Sequence, residues 1–125
     1  MIAVDSSSLI AFLEGQDGPD VALIERAIDA RDLVFAPPVL TELRAGAIAN
    51  DDLELLLSDP QVLPISDGFW ERAGRARRLL IDKGLRARFA DALIAQCCID
   101  ADVPLITRDQ DYRHFERWCG LALAT

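Results

Sequence analysis

The chain has 125 residues, 51% of them apolar, and a formal net charge of −8. That is enough length and hydrophobicity for one domain with a real core, and too much negative charge for a surface that grips nucleic acid on every side. No apolar run reaches the roughly 18 residues of a membrane helix, and the amino terminus lacks the basic start and cleavage site of a secretory signal, so a cytoplasmic protein without membrane association is expected.

Ile2-Ala3-Val4 is short, apolar and partly β-branched, as a buried strand is. Asp5-Ser6-Ser7-Ser8 breaks it, and the serines suit the cap of a helix through Leu9-Ile10-Ala11-Phe12-Leu13. Beyond the punctuation of 15–19, Val21, Ile24, Ala27 and Ile28 recur at helical spacing. Leu33-Val34-Phe35-Ala36 reads as a second strand, and Pro37-Pro38 opens a helix over 39–47 that carries Glu42. A short helix is expected over 51–58, then a third strand over 62–65, where Pro64 argues for an edge or a strand end. Asp67 is placed to cap the next helix, whose buried stripe is Phe69, Ala73, Ala76 and Leu80, and Gly84 ends it.

The segment Phe89 to Ile99 is almost wholly apolar and rich in Ala and Leu, which predicts a core helix beginning near Arg86. Pro104-Leu105-Ile106-Thr107 reads as a fourth strand, 112–118 as a short helix and 121–123 as a last strand. Strands alternating with helices predict an α/β chain: a three-layer α/β/α sandwich around a mostly parallel sheet of about four or five strands, in a single domain over 1–125.

Cys97, Cys98 and Cys119 are an odd set with two members adjacent, which suits neither a disulfide framework nor a zinc site and reads as core packing. His114 is the only histidine, which removes mechanisms needing two imidazoles and leaves a solvated helix residue. Seven of the thirteen basic residues fall between Arg72 and Arg88. This run is either a solvated helix face or a phosphate-binding edge leading up to Asp91.

Asp91 is the most informative residue, because an unpaired charge in so apolar a run is costly. Parallel sheets bind ligands beyond the carboxyl ends of their strands, and that rule selects Asp5, Glu42, Asp109 and Asp111, with Asp91 on the helix that feeds the fourth strand. Singly, each has a simpler role. Asp5 caps a helix, Glu42 is exposed, Asp91 favours a helix start or pairs with Arg88, and Asp109 and Asp111 form turns. Together they repel, by roughly 3 kcal/mol per pair at about 5 Å and an effective dielectric of about 20. Protons, arginines or a hard divalent cation relieve that repulsion, and such a cation polarises phosphoryl oxygens and activates water. With no nucleophilic dyad in view, hydrolysis of a phosphodiester by metal-activated water is the best-supported chemistry.

Four segments in order, Ile2 to Ser7, Leu40-Thr41-Glu42-Leu43, Ala90 to Ala95, and Leu105 to Tyr112, resemble the motifs of PIN-domain ribonucleases, and most of all the VapC-type toxins of bacterial toxin–antitoxin pairs. The resemblance implies an endoribonuclease using Mg²⁺ or Mn²⁺, with Asp5, Glu42, Asp91 and Asp109 as its acidic positions. Asp5, Asp91 and Asp109 are then the metal ligands, and Asp111 is a neighbour or substitute. Ser6, Thr107 and Arg108 line the pocket. It also implies an RNA substrate, a cognate VapB-like antitoxin that presents an arginine to the pocket, and a homodimer. The basic approach 85–89 and Tyr112, where phenylalanine is common, depart from the pattern and bear on partner and substrate preference. The alternative is a catalytically weak PIN-like module that binds RNA or protein. A phospho-accepting receiver domain would want a lysine after its last strands, and a dehalogenase-like phosphatase a second aspartate where Ser7 stands.

Overall fold

In the computed structural model, which describes residues 1–46 and 50–124, three short strands form a parallel sheet: β1 (Ile2–Val4), β2 (Leu33–Val34) and β3 (Leu105–Ile106), in the order β2-β1-β3. The registers pair Ile2 with Leu33 and Ala3 with Leu105. The first strand of the sequence is therefore the central one, buried on both sides, which is why it is apolar with no polar alternation. Strands expected at 62–65 and 121–123 reduce to single bridges, Phe35 with Val62 and Leu105 with Leu123. At the first of these edges Phe35 and Leu63 exchange bonds with Gln61 and Phe35 carbonyls, at 2.9 and 2.8 Å. The next donor in register would be residue 37, and Pro37 has no N–H to continue the ladder.

Seven helices among the described residues flank the sheet: α1 (Ser6–Leu13), α2 (Pro19–Asp29), α3 (Pro37–Ala45), α4 (Asp51–Ser58), α5 (Phe69–Asp82), α6 (Phe89–Ala101) and α7 (Tyr112–Cys119). The two proline-led helices, α2 and α3, begin where a missing N–H costs nothing. The residue Ala47, expected to close α3, lies outside the described residues. The cap expected from Asp67 does not form. Gly68 at φ +79° takes the N-cap of α5, and Arg72 occupies the Asp67 carbonyl at 2.7 Å. A Cβ at Gly68 would meet the Arg72 Nη1 at 2.6 Å, so the tight turn and the arginine together require glycine.

Helices α5, α6 and α7 pack on one another, α1 packs on α2, and α3 reaches both α1 and α6. The core between them holds Phe69, Phe115, Leu9, Ile24, Leu80 and Ile94. As expected, Cys97 and Cys98 are buried, and burial pushes their thiols up to about 11 and about 12, which makes them inert packing. His114 is half-buried, not fully solvated. Among the described residues no helix is long and apolar enough to cross a membrane.

Candidate metal centre

The site begins where β1 runs out. Asp5 leaves the strand in extended geometry, and its Oδ1 accepts the Ser8 N–H at 3.0 Å, so the carboxylate rather than a serine caps α1. Its Oδ2 accepts the hydroxyls of Ser7 at 2.8 Å and Thr107 at 2.5 Å. Thr107 stands at the exit of β3, so Asp5 joins the ends of two strands. Its hydroxyl also accepts the Asp109 N–H at 3.0 Å, and Asp109 Oδ1 accepts the Asp111 N–H at 2.9 Å. These bonds wind the loop after β3 into α7 and fix both loop carboxylates. Burial pushes the Asp5 pKa up, against the pull of its three donors.

Asp91 sits in the first turn of α6, where the helix dipole favours an acid. It is 8% exposed. Tyr112, at the start of α7, donates its hydroxyl to Asp91 Oδ1 at 3.2 Å, while the buried Oδ2 has no hydrogen-bond partner among the described residues. No ion pair with Arg88 forms within 4.0 Å there. One carboxylate oxygen from each of Asp91, Asp109 and Asp111 lies within 4.8 Å of the other two. Burial, then the charge of Asp109, pushes the Asp91 pKa up to about 6, opposed by the Tyr112 bond. Burial and the surrounding acids also push the Tyr112 phenol up, so it remains a donor.

The expected residues thus divide into shells of contact. Asp91, Asp109 and Asp111 converge directly. Asp5 and Thr107 stand behind Asp109 through hydrogen bonds, with both Asp5 oxygens engaged. Glu42 is half-buried at the rim, where its Oε1 accepts the Ser6 hydroxyl at 3.1 Å. Arg86 approaches Asp111 at 3.5 Å as an exposed ion pair.

Arg108 is committed elsewhere. Its Nε donates to Asp20 Oδ2 at 2.7 Å, its Nη2 to Asp20 Oδ1 at 3.1 Å and its Nη1 to Gln16 at 2.8 Å. Asp20 is 4% exposed and also accepts the Ser8 hydroxyl at 2.9 Å. The Arg108 bonds hold its carboxyl down at about 2. Asp20, Ser8 and the Tyr112 hydroxyl are participants that the sequence reading missed. An acid one residue after Gly18-Pro19 looks like an ordinary helix-start residue, and nothing local marks it as buried.

Three convergent carboxylates, one with a buried oxygen lacking any donor, form a hard oxygen set that fits a divalent cation such as Mg²⁺ or Mn²⁺. Arg108, next in sequence to Asp109, is held by Asp20, and the one ion pair to the set among the described residues is the long contact of Arg86 with Asp111.

Comparison with known proteins follows the same lines. None of the curated protein sequences matches. Among solved structures, the chain is similar to VapBC2 from Rickettsia felis bound to a promoter DNA fragment, at 23% identity and a TM-score of 0.73, covering 98% of this chain and 97% of that one. It is similar to FitAcB from Neisseria gonorrhoeae at 19% identity and a TM-score of 0.76, covering 100% and 97%. It is also similar to VapBC-5, a toxin–antitoxin system of Mycobacterium tuberculosis, at 25% identity and a TM-score of 0.68, covering 98% and 95%. The PIN domain profile matches residues 2–117. The chain belongs to the PIN domain family.

Proposed function

We propose that the protein is a Mg²⁺- or Mn²⁺-dependent endoribonuclease, the toxin of a toxin–antitoxin pair. The observation that carries this reading is the convergence of Asp91, Asp109 and Asp111 around a buried oxygen without a donor, in a PIN domain chain. A cation held by these carboxylates supplies charge neutralisation at the phosphate and an activated water. The chain supplies the geometry. Tyr112 orients Asp91, Thr107 and Asp5 fix the Asp109 loop, and Glu42 at the rim, bonded to Ser6, is the carboxylate assigned to proton uptake.

Protein purified free of any antitoxin should cut structured RNA in Mg²⁺ or Mn²⁺ and stop in EDTA. Asp91→Asn should lower the rate at least about 100-fold, the scale of losing a group that stabilises the transition state. Cleavage by that variant at the wild-type rate sinks the assignment. The toxin–antitoxin complexes among the structural neighbours support an antitoxin partner. A homodimer and an antitoxin arginine that enters the acidic pocket complete the reading. The net charge of −8 favours a second reading, a binding module with little catalysis. Calorimetric titration with Mn²⁺ separates the two, since that module would show no binding up to millimolar metal.

A further inference from the structure

A cavity of about 520 Å³ opens beside the acidic cluster, between the turn 17–20, the loop 107–110 and Arg113. Its wall includes Asp109, one of the three cluster carboxylates, and Thr107, whose hydroxyl accepts the Asp109 N–H, so whatever fills it lies beside that edge of the cluster. The volume is within the roughly 300–1,000 Å³ of pockets that hold small ligands. We propose that this cavity seats the nucleotide next to the cleaved bond of an RNA strand, with Arg113 as the ligand of its phosphate. The proposal rests on the nuclease reading above and extends it to substrate contact.

The argument is one of charge. A polyanion approaching Asp91, Asp109 and Asp111 is repelled at every phosphate that a metal does not cover, so the phosphates on either side require fixed cations. Around the cluster, Arg86 is drawn to Asp111, Arg108 to Asp20, and the charge of Arg88, at the start of α6, acts on Asp91; none of these three lines the cavity with a free guanidinium. Arg113 lines the cavity, is exposed, and its guanidinium has no hydrogen bond or ion pair among the described residues. Its five donors in a fixed fork match a phosphate. Arg108, already neutralised, contributes a rigid planar wall against which a base can stack. Gly18 keeps the turn close to that wall, because a Cβ there would lie 2.5 Å from Asp20 Oδ1 and 3.3 Å from Arg108 Nη2.

The test is binding of a fluorescein-labelled single-stranded RNA octamer to the full chain in EDTA, by anisotropy, over a series of salt concentrations. Arg113→Ala should weaken binding about ten-fold and reduce the slope of log affinity against log salt by about 0.7, the value for one lost phosphate contact on a single strand. Arg113→Lys should keep most of the slope, since the charge remains. Unchanged affinity in Arg113→Ala overturns the proposal, and so does a weakening with no change of slope. Because the measurement contains no metal, it is independent of catalysis. Wild-type cleavage together with an indifferent Arg113 sinks the subsite alone, whereas the Arg113 effect without any metal-dependent cleavage sinks the nuclease reading and leaves the subsite.

Discussion

Two buried aspartates stand at the same end of the sheet and receive opposite treatment. Asp20 accepts four hydrogen bonds from side chains or backbone of Arg108, Ser8 and Val21, and its pKa falls to about 2. Asp91 accepts one bond, keeps an oxygen without a donor, faces two further carboxylates, and its pKa rises to about 6. The first is a finished structural joint. The second is held in a state that only a proton or a cation completes, and a fold does not retain such a charge for stability.

Replacing Asp91 tests that contrast most severely. Its folded pKa lies above the unfolded value of 3.8, so the metal-free protein should lose stability as pH rises from about 4 to about 6. Asp91→Asn should remove that loss and stabilise the metal-free protein at pH 8 by about 2 kcal/mol, while abolishing stabilisation by Mn²⁺. Urea unfolding with and without metal reads both effects, and a destabilised variant at pH 8 would contradict the account.

Asp20→Ala should do the reverse, costing on the order of 2 kcal/mol because Arg108 is left with only neutral partners, Gln16 and the Asp17 carbonyl. The sign also reverses with pH. The folded pKa of Asp20 lies below the unfolded one, so its contribution is complete above about pH 4 and disappears as pH falls toward about 2. The variant should therefore show a flatter acid limb than wild type, and identical limbs would mean that the pair is idle.

A milder probe is Tyr112→Phe, which removes the one donor to Asp91 without emptying the core. The expected cost is about 1 kcal/mol, with a further rise in the Asp91 pKa visible by carboxyl carbon NMR. Smallest of all, Arg86→Ala should change the unfolding free energy read from urea titration by no more than about 0.5 kcal/mol, since its pair with Asp111 is exposed and long. A larger loss would place Arg86 inside the cluster instead of at its edge.

Much of this was legible in the chain. The burial of β1 and the amphipathic runs of α2 and α5 follow from local apolar spacing, and the rule that ligands gather at strand ends picked out Asp109 and Asp111, two of the three carboxylates that converge. What escaped were interactions set by distant partners. Arg108 does line a cavity beside Asp109, but its guanidinium is bound by Asp20, 88 positions away, which no local pattern announces. Asp67 does not cap α5 because the helix starts one residue later, at a Gly68 in the left-handed region, with the Asp67 carbonyl bound by Arg72. The edge strands shrank to bridges because Pro37 removes the next donor on one side, a limit visible in the sequence, and because tertiary pairing sets strand length on the other. The convergence of Asp91 with Asp111 as well as Asp109 depends on how far the loop after β3 winds before α7, which the Thr107 and Asp109 hydrogen bonds decide.

The joint made by Asp5 has a consequence for heredity. One side chain starts α1, ties the first strand to the last strand of the sheet and stands behind the loop that carries Asp109. Selection for foldability alone acts on this position through both oxygens. A lineage that gave up the reaction would still be obliged to keep the aspartate, so its presence in a related chain testifies to the architecture before it testifies to the activity.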